Sequence, residues 1–293
     1  MIATEQNAAR RLRALLAEPE LRVCPLASDP LTARLIQRAG FPTALLGGFG
    51  IAATGFAMPD AGLIDFSEVV NAVHNTCESV AGFPIIADGD TGYGNAMNVR
   101  RTVKEFARAG AAAILIEDQP WPKKCGHYGG RREVIPRAEA RLKIRAAVEA
   151  RDEAGSEMMI LARTDARSAS GFDEAMARCQ DFVAAGADIL FAEALETEAE
   201  LAAFAGGFQK PTWANMMPKT PVKSRAELKA MGFRIVTYNV LLHAAIRAME
   251  QTLAALKADD MAKAPPLASF DEVTSLVGLP QYLAMEQRYR GTD

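Results

Sequence analysis

Long apolar runs, paired cysteines and a dominant charge are all missing from this chain. No stretch is apolar for long enough to cross a bilayer, so no membrane association is expected. Residues Met1–Ala9 lack the apolar centre of a secretion signal. Arg10, Arg11 and Arg13 with Leu12, Leu15 and Leu16 read as a surface helix rather than an organelle-targeting one. Cysteine occurs four times, at 24, 77, 125 and 179, with none of the C-x-x-C spacing of metal or redox motifs. Free thiols in a reducing cytoplasm are the expectation. The formal net charge is −3 over 293 residues with both signs interspersed, which argues against a nucleic-acid groove or an anionic membrane surface as partner. Gly89, Gly92 and Gly94 lie close together but without the G-x-G-x-x-G or GK[ST] of a phosphate loop. His74 and His243 fall on expected helices and read as structural.

What is present is a repeated unit. Phe106-Ala-Arg-Ala-Gly-Ala-Ala-Ala-Ile-Leu-Ile-Glu117 matches Phe182-Val-Ala-Ala-Gly-Ala-Asp-Ile-Leu-Phe-Ala-Glu193 at an offset of 76 residues. In each, an amphipathic stretch reaches a glycine suited to a helix C-terminus, and an apolar run ends in glutamate. Such a run fits a parallel strand buried on both faces. Looser copies lead to Thr43–Leu46, Pro84–Ala87, Met158–Ala162 and Arg234–Thr237. Adding Arg22–Ala27 and Pro211–Ala214 gives eight strands, with helices near 30–39, 65–80, 96–109, 137–154, 171–185, 196–206, 223–231 and 241–258. Asp29-Pro30 and the Asp65-Phe-Ser-Glu68 capping box mark two helix starts. The pattern predicts an α/β chain, a (β/α)8 TIM barrel over 1–263, with an open doubly wound sheet as the alternative. Ala264-Pro265-Pro266 then introduces a C-terminal helical extension over 264–293, with a helix about 269–290 that packs on a partner subunit.

In a barrel, residues at the C-terminal strand ends share one mouth, where barrel enzymes work. Those ends carry Gly47-Gly48-Phe49, Asp88, Asp90, Glu117, Arg163, Glu193 and Asn215. Carboxylates gathered there repel one another unless a cation sits among them, and an all-oxygen set favours Mg²⁺ or Mn²⁺. Each has a plainer reading too: Asp88 and Asp90 as helix caps, Arg163 as a structural ion-pair partner. The loop Pro120–Gly130 places Lys123, Lys124, Cys125 and His127 within five positions, with proline and glycine as hinges. A thiol beside positive charge is a candidate for chemistry.

Together Asp88-Gly-Asp-Thr-Gly-Tyr-Gly94, Ile116-Glu-Asp-Gln119, Lys123-Lys-Cys-Gly-His127, Ala162-Arg-Thr-Asp165 and Pro59-Asp60-Ala-Gly62 resemble the isocitrate lyase / phosphoenolpyruvate mutase superfamily. The resemblance covers about residues 20–260 and is nearest to the branch cleaving 2-methylisocitrate or 2,3-dimethylmalate, with the oxaloacetate hydrolases beside it. It implies a Mg²⁺-dependent barrel that exchanges a C-terminal helix in a homodimer or homotetramer. It implies Asp88 on the metal directly, with Asp60, Asp90 and Glu117 holding it through waters. Cys125 becomes the acid that protonates the leaving carbanion, and Lys123 and His127 stabilise charge on the loop. Gly47 and Gly48 lend N–H groups to a carboxylate, and Phe49, Gly126, Arg163, Glu193 and Asn215 contact substrate. Tyr93 is a candidate for the base that takes the hydroxyl proton.

The implied reaction is carbon–carbon cleavage of a 2-hydroxy di- or tricarboxylate to a 2-oxo acid and a carboxylate. Alternatives are oxaloacetate hydrolysis, a phosphonopyruvate mutase or hydrolase, a Schiff-base aldolase, and a metal-binding barrel without turnover. The chain departs from the lyases at Gly47 (usually Ser or Thr), at Phe49, in the shortened Met216–Pro221 turn, and at Asn239 after Tyr238. These lie at the substrate end, and with the methionines they lean towards a small alkyl-substituted malate.

Overall fold

The computed structural model describes residues 7–125, 132–216 and 220–290. Its strands are β1 (Arg22–Val23), β2 (Leu26–Ala27), β3 (Ala44–Leu46), β4 (Ile85–Asp88), β5 (Ala113–Glu117), β6 (Met159–Thr164), β7 (Ile189–Ala192), β8 (Thr212–Asn215) and β9 (Ile235–Thr237). They form one nine-stranded parallel sheet in the order β1-β9-β8-β7-β6-β5-β4-β3-β2. The two ends of that order are joined by only Cys24 and Pro25. Cys24 N–H donates to Val236 O at 2.8 Å, while Pro25 O accepts from Leu45 N–H at 3.0 Å. The single opening strand expected from the sequence is therefore split: its first half pairs with β9 and its second with β3. Proline has no N–H to give a ladder, so the break falls where pairing changes sides. This curls the sheet into a barrel, as the repeat predicts.

Local signals account for the helices. Asp65 accepts from Ser67 and Glu68 N–H, and Glu68 returns to Asp65 N–H at 2.6 Å, the expected capping box on Phe66–Ser79. Asp29 caps Pro30–Arg38 in the same way, with Thr32 as the reciprocal partner. Gly110 and Gly186 have φ of +93° and +98°, the left-handed conformation that the Ala-Gly-Ala repeat foretold. β5 and β7 are buried throughout, as their apolar runs require.

Two helices at the mouth, Gly48–Phe56 and Ala166–Ser170, escape the sequence pattern. The first is rich in glycine and alanine and shows little amphipathic contrast. The N-terminal helix Ala8–Ala17 is amphipathic, but its apolar side is not at the surface. Leu12 and Leu16 are buried in the core with Met159, Ile189, Trp213 and Ile235, residues of the barrel's N-terminal half.

The chain divides into two compact units, Met1–Asn239 and Val240–Asp293. The second contains helices Leu241–Lys257, Phe270–Leu276 and Leu279–Gln287. The long tail helix expected near 269–290 is broken at Gly278, whose φ is +90°. Among the described residues no helix is long and apolar enough to cross a membrane.

Candidate active site

The strand ends β4 and β5 and two loops bring together Asp60, Asp88, Asp90, Glu117 and Lys123. Lys123 Nζ lies 2.7 Å from Asp60 Oδ1 and 2.6 Å from Asp90 Oδ1, with all three side chains buried. Asp88 is fixed from both sides: Oδ2 accepts Gly48 N–H at 3.0 Å and Oδ1 accepts Asp90 N–H at 3.0 Å. Gly48 is the open corner of this group. A Cβ there would meet Lys123 Nζ at 3.1 Å, Asp88 Oδ2 at 3.2 Å and Asp90 Oδ1 at 3.3 Å, so three charged atoms surround one small space. Lys123, assigned to the loop by its sequence position, thus offsets part of the negative charge that the carboxylates bring together.

Glu117 connects this cluster to the loop that carries Cys125. Gln119 Nε2–H donates to Glu117 Oε1 at 3.0 Å and to Lys124 O at 3.1 Å, and its Oε1 accepts Lys124 N–H at 3.3 Å. Cys125 N–H donates to Asp60 O at 3.0 Å, which sets the half-buried thiol residue against the acidic cluster. Gly126 and His127 lie outside the described residues. Gln119 stands in the Ile116-Glu-Asp-Gln119 motif, but its role as a brace could be read only once the chain folded.

Arg163 is held by three carboxylates. Its guanidinium reaches Asp165 at 2.9 Å, Glu117 at 3.3 Å and Glu193 at 3.3 Å, with its centre 5.3 Å from the Phe191 ring. The ion-pair reading of this residue is therefore realised alongside its place at the mouth. Asn215 Nδ2–H donates to Glu193 Oε2 at 3.4 Å, and its buried Oδ1 has no partner among the described residues. Gly47 caps the helix Gly48–Phe56, and Phe49 sits half-buried in its first turn. Asp165, Asp118, Arg132 and Arg178 form a neighbouring buried network that sequence reasoning missed: Arg132 pairs with Asp165, and Arg178 meets Asp118 at 3.1 Å. Arg132 follows directly on the Cys125 loop, so both stems of that loop end in buried ion pairs.

The electrostatics follow from burial and neighbours. Burial disfavours charge on Lys123, yet Asp90, Asp88, Glu117 and Asp60 outweigh it and hold the ammonium well above its ordinary range. Burial lifts Asp90 to about 6, opposed by Lys123 and reinforced by Asp88 and Asp60. Burial likewise raises Glu117 well above the usual carboxylate range, despite Arg163. Tyr93 is pushed well above its ordinary value by burial and by Asp90, Asp88 and Asp60. Tyr93 thus lies against the acidic cluster with its phenol proton held firmly.

No three His, Cys, Asp or Glu side chains among the described residues are grouped tightly enough to enclose an ion unaided. The donor set nevertheless fits Mg²⁺, which keeps most of its waters and binds through one or two carboxylates. Asp88 is the carboxylate beside the Gly48 corner, while Asp60 and Asp90 are engaged by Lys123 and Glu117 by Gln119.

Residues 12–257 match the family model described as phosphoenolpyruvate phosphomutase. The chain belongs to that family. A 2,3-dimethylmalate lyase from Eubacterium barkeri is 41% identical over 288 residues, covering 97% of this chain and 98% of the relative. A 2-methylisocitrate lyase from Aeropyrum pernix is 43% identical over 245 residues, covering 83% and 77%. The solved structure of oxaloacetate acetylhydrolase with 3,3-difluorooxalacetate superposes with a TM-score of 0.91 at 30% identity, covering 98% of each chain. This family member is a carbon–carbon lyase of the isocitrate lyase / phosphoenolpyruvate mutase superfamily, on a barrel of that superfamily's type.

Proposed function

We propose that this lyase cleaves a 2-hydroxy dicarboxylate of the 2,3-dimethylmalate type, or a 2-methylisocitrate, to a 2-oxo acid and a carboxylate. The observation that carries the reading is the Asp60–Lys123–Asp90 cluster beside Asp88, with Cys125 tied to Asp60 at 3.0 Å. Bound at Asp88, Mg²⁺ would act as a Lewis acid on the substrate hydroxyl and adjacent carboxylate. Arg163 and Asn215, whose Oδ1 is unpartnered among the described residues, orient the substrate's polar groups. A carboxylate of the Asp60–Asp88–Asp90 cluster takes the hydroxyl proton, the O–H electron pair forms the ketone, and the C–C electron pair moves to the departing fragment. Lys123 and backbone N–H groups offset the charge that develops on that fragment. The Cys125 thiol then gives its proton to carbon. Gln119 braces the chain at Lys124, and Arg132 is held by Asp165.

Purified protein with Mg²⁺ is to be assayed against substituted malates and 2-methylisocitrate for 2-oxo acid release. Cys125→Ser and Asp88→Ala are each expected to abolish turnover with the fold retained; full activity in Cys125→Ser removes the acid role. The likeness to oxaloacetate acetylhydrolase favours a second reading. Steady oxalate formation from oxaloacetate without cleavage of any malate would establish it in place of the first. A cytoplasmic setting belongs to the same proposal, in keeping with four free thiols. We also propose assembly as a homodimer or homotetramer through the tail. Within the second unit Leu253, Leu267, Phe270, Val277 and Met285 are exposed, which suits burial against another copy. Light scattering after size exclusion tests it, and a monomer at micromolar concentration refutes it.

A further inference from the structure

At the opposite end of the barrel, where the strands begin, the surface opens into a cleft of about 390 Å³. Its walls carry Arg13 from the first helix, Lys210 just ahead of β8 and Arg234 just ahead of β9, over Leu16 and Phe208. One carboxylate, Asp188, shares the lining, and it is fully engaged. Its Oδ1 takes Arg13 at 3.1 Å, and its Oδ2 takes Arg151 at 2.6 Å and Ile160 N–H at 2.9 Å. Lys210 and Arg234 are half-buried, and neither side chain has an ion pair or hydrogen bond among the described residues.

Three cations against one carboxylate leave a surplus of positive charge in a confined space. Elsewhere in the first unit half-buried cations are answered: Arg100 by Glu149 and Glu153, Arg167 by Glu196 and Glu200. Partly desolvated cations without a partner carry a cost that a bound anion offsets. Helix C-termini at this face attract cations in a general way, yet neither side chain bonds a terminal carbonyl. The volume is within the range of small-molecule sites, and the apolar floor leaves room for a short carbon skeleton.

We propose that this cleft is a binding site for a small dianion, a phosphate or a dicarboxylate, remote from the mouth. Arg234 supplies a planar fork for two oxygens and Lys210 a point charge, with Arg13 beside them on Asp188. No residue is shared with the candidate active site, so the proposal stands apart from the lyase reading.

Calorimetric titration with inorganic phosphate, and separately with succinate, tests it at ionic strength held constant with NaCl. At least one ligand is expected to saturate a single cleft site at about millimolar concentration or below. Lys210→Ala/Arg234→Ala is expected to weaken that binding about tenfold or more, equivalent to about 1.4 kcal/mol, while turnover at the mouth is unchanged. Lys210→Gln, which keeps the stem, is expected to give a partial loss. Because the mouth also receives dicarboxylates, both titrations are repeated in Asp88→Ala, where the cleft component persists. The tighter ligand identifies the source of the anion. Absence of saturable binding by both ligands, undiminished binding in the double variant, or loss of all binding in Asp88→Ala overturns the proposal.

Discussion

Gly48→Ala separates folding from chemistry at the mouth. Gly48 is the first residue of the helix Gly48–Phe56, where alanine is favoured over glycine by at most about 0.5–1 kcal/mol, the helix-interior value. The added methyl, however, enters the cradle at 3.1 Å from Lys123 Nζ, 3.2 Å from Asp88 Oδ2 and 3.3 Å from Asp90 Oδ1. None of these can withdraw freely. Lys123 is clamped at 2.7 and 2.6 Å, and Asp88 is held by two backbone N–H groups. Each must shift by a few tenths of an ångström, and three charges lose part of their solvent-sized space. The crowding offsets the helix gain, so stability is expected within about 1 kcal/mol of the parent. Catalysis tolerates such displacement poorly, and kcat/KM is expected to fall about 10²-fold or more, which corresponds to about 2.7 kcal/mol of transition-state stabilisation. Thermal unfolding and 2-oxo acid release from the best malate, measured on the same preparation, test both halves. Unchanged kcat/KM would refute the placing of ion and substrate in this cradle. Collapse of the fold would refute the packing estimate.

Gln119→Leu removes the brace between Glu117 and Lys124 and leaves the buried Glu117 Oε1 without this donor, at about 1–3 kcal/mol, with less for the part-buried Lys124 backbone. A lower unfolding temperature together with a lower kcat is expected, and a change confined to KM would exclude a positioning role. Thiol titration should distinguish the cysteines. Burial pushes Cys24 and Cys77 up to about 12 and raises Cys179 further still; Cys77 and Cys125 are both half-buried, Cys77 on the helix Phe66–Ser79 and Cys125 on a loop. One equivalent should react quickly in the native protein, and Cys125→Ser should remove it; several fast thiols would contradict the burial. Asp90 gives a pH dependence of defined sign. Its folded carboxyl binds a proton more tightly than the unfolded one, at about 6 against 3.8. The native state is therefore increasingly penalised as pH rises from about 4 to 6, by at most about 3 kcal/mol, and the penalty is absent at lower pH. Without divalent ion, wild type should lose stability relative to Asp90→Asn across that window. Mg²⁺ should reduce the loss, and a difference that is flat with pH would argue against the buried charge.

Much of the barrel was legible because its signals are local. Asp29 and Asp65 cap the helices they precede, and Gly110 and Gly186 end theirs in the left-handed conformation. The apolar runs ending at Glu117 and Glu193 are buried strands whose last residues face the mouth. The helix Gly48–Phe56 was not legible, because glycine and alanine give it little amphipathic contrast. Leu12 and Leu16 looked like part of a surface helix because nothing in ten residues says that the barrel's lower core lies beside them.

The sequence by itself determined which residues stand at the strand ends, since the period of apolar runs and caps counts off each β/α unit. Only the tertiary structure decided which charges neutralise which. Lys123 is 33 residues from Asp90 in the chain yet 2.6 Å from it in space. That Arg163 is shared among Asp165, Glu117 and Glu193 is likewise invisible in its own strand. Ion pairing at a barrel mouth depends on how separate strands converge, and no local pattern encodes that distance.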